Sequence, residues 1–172
     1  GLAALLMATA LHGPAQADTA FLGAYPDKIM TFDEEKGEVT QIIPLKSGLP
    51  TNMIMSNDKK KIYVSTLTTG GIEVIDVATR KVINSFSLNT PQVRYRFSAG
   101  VPDPTGRYFY TILTQYDKGV DRFSYSKPKY AVIDLKQQKV VRTEEVGEDD
   151  TPSRGLWGVD MDVSPDGRWL YL

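Results

Sequence analysis

The sequence repeats one pattern of hydrophobic and polar positions. Each copy holds an apolar run that ends in aspartate, a short polar turn, and a second run in which apolar and polar residues alternate. Alternation with a period of two on both sides of a tight turn predicts a β-hairpin. The copies occupy residues 27–45, 70–88 and 128–146, and their aspartates are Asp33, Asp76 and Asp134.

A second marker accompanies these hairpins, namely a polar turn that leads into a strand with tyrosine in register. It occurs in "DKKKIYVST" (58–66), "PTGRYFYTI" (104–112) and the closing "PDGRWLYL" (165–172). Tyr63 and Tyr110, in the first two copies, are 47 residues apart. A period in the forties with four short strands per repeat is typical of a β-propeller blade. The last copy lacks the third and fourth strands of its repeat, so we expect the chain to be truncated inside a blade.

The predicted fold is therefore all-β, a β-propeller of four-stranded antiparallel blades, present over residues 18–172 as an incomplete fragment of about three blades. Asp76 and Asp134 are 58 residues apart, whereas Asp33 and Asp76 are 43 apart. The excess predicts an enlarged loop at 114–129, and such loops often carry function. In the blade with this loop, strands are expected near 97–102, 107–113, 130–135 and 139–146.

Residues 1–17 have the pattern of a secretory signal peptide. An apolar run at 2–11 is followed by a Gly-Pro break and by "AQA" at 15–17, a small-x-small cleavage site. No initiator methionine and no positively charged segment precede the run, so we expect the signal to be clipped at its amino end. The alternative is a buried N-terminal helix. Export predicts a periplasmic or secreted protein with no membrane span after cleavage.

Composition narrows the functions that are compatible with this fold. Twenty basic and 21 acidic residues give a formal net charge of −1 with no basic run, so we expect no nucleic acid as a partner. The sequence has no cysteine, and its single histidine, His12, lies in the predicted signal. Nucleophilic triads, P-loops, dinucleotide fingerprints, metalloprotease motifs and haem-attachment motifs are absent. The sequence therefore predicts no catalytic constellation and no cofactor.

Two family resemblances accompany these patterns. "DKKKIYVSTLTTGGIEVIDVATRKVINSFSL" and "SPDGRWLYL" resemble the YVTN-type β-propeller repeat, with "IYVST" at the place of the tetrapeptide that names the family. "FSAGVPDPTGRYFYTILT" followed by "SKPKYAVID" is similar to the propeller β subunit of quinohemoprotein amine dehydrogenases. The second resemblance implies a platform beside quinone and haem subunits. The first implies the fold alone, because such propellers have many unrelated roles.

The predicted strand order gathers three loops, at 89–96, 114–129 and 147–157, on one face. This loop face combines aromatic side chains with arginine and aspartate, which suits it to bind a protein or a small ligand. The alternative is a solvated surface with local ion pairs. The candidate binding residues are Arg94, Arg96, Tyr116, Asp121, Arg122, Arg154 and Trp157.

The recurring aspartates Asp33, Asp76 and Asp134 are expected to stabilise turns by accepting hydrogen bonds from nearby backbone. Asp160 and Asp162 are two residues apart and so lie on one side of a strand. They could hold Ca²⁺ or accept an arginine from another blade. The other blades offer no matching carboxylates, so no metal site is predicted.

Three functions follow from these observations. The first is an exported, non-catalytic propeller that serves as a binding or scaffold module through its loop face. The second is the propeller subunit of a periplasmic amine dehydrogenase-like redox complex with quinone and haem partners. The third is a metal-dependent propeller lactonase or hydrolase, which ranks last because the mature sequence lacks the histidine that such sites tend to use.

Overall fold

In the computed structural model of the chain, the described residues, 19–147 and 159–172, form fourteen β-strands and no helix. The predicted signal segment 1–17 lies outside these residues. No helix in this part is long and apolar enough to cross a membrane. The strands are β1 (Thr19–Ala24), β2 (Lys28–Asp33), β3 (Glu38–Pro44), β4 (Pro50–Met55), β5 (Lys61–Thr66), β6 (Gly71–Asp76), β7 (Lys81–Ser87), β8 (Val93–Pro102), β9 (Tyr108–Lys118), β10 (Phe123–Tyr125), β11 (Lys129–Asp134), β12 (Lys139–Glu145), β13 (Asp162–Val163) and β14 (Leu170–Tyr171).

The strands form successive antiparallel sheets in chain order. Sheet 1 is β1-β2-β3, sheet 2 is β4-β5-β6-β7, and sheet 4 is the pair β13-β14. Sheet 3 has the order β8-β9-β11-β12, with β10 also paired to β9. Within each sheet the strands pair antiparallel, and consecutive strands such as β1 and β2 or β5 and β6 are joined by short turns. The prediction of an all-β chain with antiparallel sheets is confirmed.

Neighbouring sheets pack face to face because alternate side chains of a strand point to opposite sides. Ile62 and Val64 of β5 belong to a buried cluster with Ile29 of sheet 1. Tyr63, between them, points the other way and stacks on Phe109 of sheet 3, with ring centroids 6.2 Å apart. A third cluster joins sheets 3 and 4. Each fully buried side chain of this size stabilises the fold by about 1.5–3 kcal/mol.

The turns after β2, β6 and β11 share one arrangement, and the predicted turn role of the recurring aspartates is confirmed. In each turn an aspartate Oδ1 accepts a hydrogen bond from a backbone N–H two or three residues later, and the fourth residue after it has a positive φ. The bonds are Lys36 N to Asp33 (3.0 Å), Thr79 N to Asp76 (2.7 Å), and Gln137 N to Asp134 (2.8 Å).

A second turn type recurs before β5, β9 and β14. The Ser56 hydroxyl donates to Asp58, and the Ser164 hydroxyl donates to Asp166, both at 2.6 Å. In the turn between them the roles are reversed, since the Thr105 hydroxyl donates to Asp103. In all three turns a hydroxyl therefore donates a hydrogen bond to a carboxylate two residues away in the sequence.

The structure differs from the sequence expectation around the enlarged segment. Residues 114–118 continue β9, and 123–125 form β10, so the expected loop at 114–129 is largely a β-hairpin. Residues 93–96, also expected in a loop, begin β8 and pair with 114–117. Sheet 3 thus extends beyond its neighbours as a three-stranded projection. Cross-strand hydrogen bonding, rather than burial of apolar side chains, defines these strands.

Candidate functional site

The projection of sheet 3 places three side chains in one row across its strands. Arg94 of β8 lies directly opposite Tyr116 of β9, and Tyr116 lies directly opposite Tyr125 of β10. Directly opposed residues of antiparallel strands share a face, with Cβ atoms about 4.5–5.5 Å apart. The two candidates Arg94 and Tyr116 are therefore neighbours, and Tyr125 completes the row.

Two further side chains share this side of the projection. Lys118 and Phe123 lie opposite each other, each two residues from a tyrosine of the row. Residues two apart on a strand lie on the same side. We call this surface the aromatic–basic face; its members are Arg94, Tyr116, Lys118, Phe123 and Tyr125.

The aromatic residues of this face are unusually exposed. Phe123 has 69% of its surface exposed and Tyr125 has 77%, while Tyr116 is half-buried. The Tyr116 and Tyr125 rings are tilted against each other with centroids 6.1 Å apart. Large apolar side chains that gather in one exposed patch mark interaction surfaces more often than single ones do. The ring pair also limits the rotamer entropy that a partner would have to freeze.

The charged residues of the projection lie on two different sides of its strands. Asp117 lies on the opposite side, where it accepts a hydrogen bond from Gln115 Nε2 at 2.8 Å. Within the described residues, neither Arg94 nor Lys118 has a carboxylate within ion-pair distance. The aromatic–basic face therefore carries two positive charges and no negative one.

Asp121 and Arg122 occupy the exposed turn at the tip of the hairpin. Their side chains form a loose ion pair at 3.9 Å, with 80% and 82% of each exposed. An ion pair this exposed contributes little to stability. Both groups are consequently accessible beside the aromatic–basic face.

A cavity of about 310 Å³ lies where β4, β8 and residues 159–161 meet. Arg96 and Asp160, both singled out from the sequence, line it together with Asn52 and Phe97. The Asn52 amide donates to the Gly100 carbonyl at 3.2 Å, which ties β4 to β8 beside the cavity. The cavity falls at the lower end of the size range of small-ligand sites, and the described part of its lining combines apolar side chains with Arg96 and Asp160.

Asp160 and Asp162 share one side of the chain at 159–163, because Met161 and Val163 between and after them are buried. Both carboxylates are exposed, and Asp162 Oδ1 accepts a hydrogen bond from Val163 N at 2.7 Å. In residues 19–147 and 159–172, no three histidine, cysteine or acidic side chains cluster as metal ligands. The two aspartates alone would offer a cation only a partial ligand set.

Two sequence candidates, Arg154 and Trp157, lie outside the described residues. Sequence reasoning missed Lys118, Phe123 and Tyr125, which the hairpin brings to the face. The spacing "FSY" at 123–125 was the available signal, because two aromatics two residues apart share one side of a strand. The spacing can be interpreted in this way only when residues 123–125 are known to form a strand.

Sequence reasoning also missed a buried carboxylate, Glu73 of β6, which has no exposed surface. Its Oε1 accepts hydrogen bonds from Lys46 N, Ser47 N and the Ser47 hydroxyl, each at 2.6 Å. Its Oε2 has no partner within the described part of the chain. Glu73 thereby holds the connection from sheet 1 to sheet 2 against the middle of sheet 2.

The chain matches no protein-family model, and a search of curated proteins found no significant match. The family resemblances read from the repeat motifs therefore stay predictions.

Proposed function

We propose that the successive sheets are blades of a β-propeller and that the protein is an exported, non-catalytic module that binds a protein partner. The face-to-face packing of antiparallel sheets in chain order supports the propeller. So do the two turn types, which recur from sheet to sheet. Export is proposed from the signal-like pattern of residues 1–17.

The observation that carries the binding role is the cross-strand row of Arg94, Tyr116 and Tyr125, flanked by exposed Phe123. Tyrosine and arginine are enriched among the residues that dominate binding energy at protein interfaces. Here they stand on paired strands rather than on a loop, so their relative positions are largely preorganised. Binding of a partner therefore costs this chain little conformational entropy.

Site-specific photo-crosslinking tests the proposal. Phe123 is replaced by p-benzoylphenylalanine in the full chain, which is then produced in its natural cells and irradiated. We expect a discrete covalent adduct with another protein at this position. A second substitution, Tyr125→Ser, should weaken the adduct because it removes the ring beside Tyr116.

The matched control carries the crosslinker at Ile83, an exposed apolar residue of β7 that is 55% accessible. Adducts of equal yield from positions 83 and 123 would mean non-specific encounter. That result, or the absence of any adduct at 123, would overturn the proposed binding role.

A second candidate function, binding of a small polar ligand, is favoured by the cavity beside Arg96 and Asp160. Aspartate suits an amine, so a small molecule bearing an amino group fits the exposed carboxylate of Asp160 in this lining. Thermal-shift measurements with amino acids and small amines on the protein and on Asp160→Asn test it. Stabilisation that is equal in both proteins, or absent from both, would contradict this candidate.

A further inference from the structure

We propose that the partner presents a short, extended acidic segment with apolar side chains, and that this segment binds across the aromatic–basic face. The inference rests on the proposed binding function and adds the chemistry of the partner to it.

The charge of the face selects an acidic ligand. Arg94 and Lys118 are exposed and have no carboxylate within ion-pair distance in the described residues, while Asp117 is turned to the other side of the strands. A guanidinium binds a carboxylate through two parallel hydrogen bonds, which are stronger than bonds between neutral groups. A basic segment would meet two like charges and no counter-charge on this face.

The aromatic side chains add an apolar requirement. Phe123 and Tyr125 project from the three-residue strand β10, and both are mostly exposed. An apolar side chain packed against them would remove apolar surface of both partners from water, which favours binding. Acidic groups alone would leave these rings in water. An extended segment that carries an acidic and an apolar residue two positions apart presents both to the face, because residues two apart share one side of a strand.

The dimensions of the face favour a single segment over a folded surface. Three strands spaced about 4.8 Å apart give a platform roughly 10 Å wide between the outer strand axes. Interfaces between folded proteins commonly use about 20–30 residues on each side. Five side chains on such a platform suit a short linear motif, the kind of ligand that an exposed aromatic row recognises.

A protein segment is favoured over nucleic acid, which aromatic and basic residues also bind. Nucleic-acid affinity grows with the number of phosphates neutralised, and the face offers two cations in a chain whose formal net charge is −1. Asp121 and Arg122 at the hairpin tip add no net charge. A polyanion would therefore gain little from this face.

Fluorescence anisotropy tests the inference. The probe is a fluorescein-labelled peptide with glutamate and phenylalanine in turn at every second position and serine between them, so that an extended chain presents both on one side. Parallel titrations use its lysine counterpart, an oligothymidylate and phosphatidylserine vesicles. We expect the acidic peptide to bind and the other three not to bind. The double variant Arg94→Gln/Lys118→Gln should weaken binding at least about tenfold, since it removes both positive charges that would pair with the carboxylates of the peptide.

The control Lys81→Gln/Lys139→Gln removes the same charge from exposed sites outside the face and should change affinity by less than about twofold. Equal weakening in both double variants, binding of the oligonucleotide or vesicles in place of the peptide, or no peptide binding would overturn the inference. A position-123 adduct that persists in Arg94→Gln/Lys118→Gln would overturn the acidic chemistry while leaving the binding module intact. Absence of both the adduct and peptide binding when Arg94 and Lys118 are retained would overturn both proposals.

Discussion

Glu73 is an acidic residue in the buried interior of a strand, where acidic side chains are rarely found. Its carboxylate is fully buried and accepts three hydrogen bonds on one oxygen. The donors belong to Lys46 and Ser47, in the connection between β3 and β4. Within the described residues no cation lies at ion-pair distance from it. The connection between two sheets is thus fixed by one side chain from a strand interior.

Glu73→Ala should lower the free energy of unfolding by about 3 kcal/mol or more, because it leaves buried donors without an acceptor. Glu73→Gln should lower it by only about 1 kcal/mol, since the amide oxygen can still accept the bonds from residues 46 and 47. Urea denaturation of the three proteins measures these differences. An exposed control, Glu38→Ala on β3, should change stability by less than about 0.5 kcal/mol. A Glu73→Ala variant as stable as the control would refute the anchoring role.

The sequence could not have revealed this anchor. In "GIEVID" the glutamate sits at an ordinary polar position of an alternating strand, and its partner Ser47 is 26 residues away. Burial of the pair depends on how sheet 1 packs on sheet 2, which local pattern does not encode. Asp33, Asp76 and Asp134 were predictable because their hydrogen-bond partners lie within three residues.

At Gly37 the cost of the backbone conformation in the aspartate turn can be measured separately from any steric clash of a side chain. Its φ is +68°, and a Cβ added there would meet nothing within 4 Å. Gly37→Ala should therefore cost about 1 kcal/mol through backbone strain alone. Gly37→Asn should cost less, because asparagine tolerates this conformation. Chemical denaturation of both variants checks the order, and equal stability of wild type and Gly37→Ala would contradict it.

At the scale of elements, the aspartate turns make stability depend on pH. Hydrogen bonds from the Thr79 hydroxyl and backbone lower the pKa of Asp76 below its ordinary value of 3.8. A backbone hydrogen bond from Gln137 lowers the pKa of Asp134, and one from Lys36 lowers the pKa of Asp33. A group with a lowered pKa in the folded state stabilises the fold when ionised. That stability is present above its unfolded pKa and is lost as pH falls through the folded pKa.

Asp76→Asn tests this dependence. The stability difference between wild type and variant should be greatest near neutral pH and should shrink as pH falls below about 3.8, because the wild-type carboxylate then becomes protonated. Urea midpoints measured from about pH 7 down to about pH 2.5 follow the difference. A difference that stays constant over this range would show that ionisation of Asp76 does not stabilise the turn.

The hairpin β9–β10 shows which elements a sequence pattern can and cannot predict. Strands such as β5 and β6 could be predicted from the sequence because one or both of their faces are buried. Burial requires apolar residues at every second position of the strand. Residues 114–118, "TQYDK", carry no such pattern because neither face of the projection is fully buried. The candidates Arg94 and Tyr116 could be chosen by residue type. Their adjacency could not, because it depends on strand register.

At the scale of the molecule, stability should be distributed between neighbouring sheets rather than concentrated in one core. The buried members of each hydrophobic cluster come mainly from two adjacent sheets, with Ile29, Ile43 and Ile75 among those joining sheets 1 and 2. Phe109 and Ile133 belong to the cluster that joins sheets 2 and 3. Stacks of repeats that contact only their neighbours gain stability from successive interfaces. A defect at one interface should therefore weaken the adjoining sheets first.

Hydrogen exchange of Ile43→Ala tests this distribution. Truncation of a buried isoleucine costs about 2–5 kcal/mol, so amides of β1, β2 and β3 should exchange faster, and those of β9, β11 and β12 should change much less. Ile42→Ala is the matched control, because Ile42 is adjacent on β3 but 56% exposed. It should leave exchange unchanged throughout. Equal acceleration in all sheets of Ile43→Ala would instead mean that the chain unfolds as one cooperative unit, and that the aromatic–basic face depends on the integrity of sheet 1.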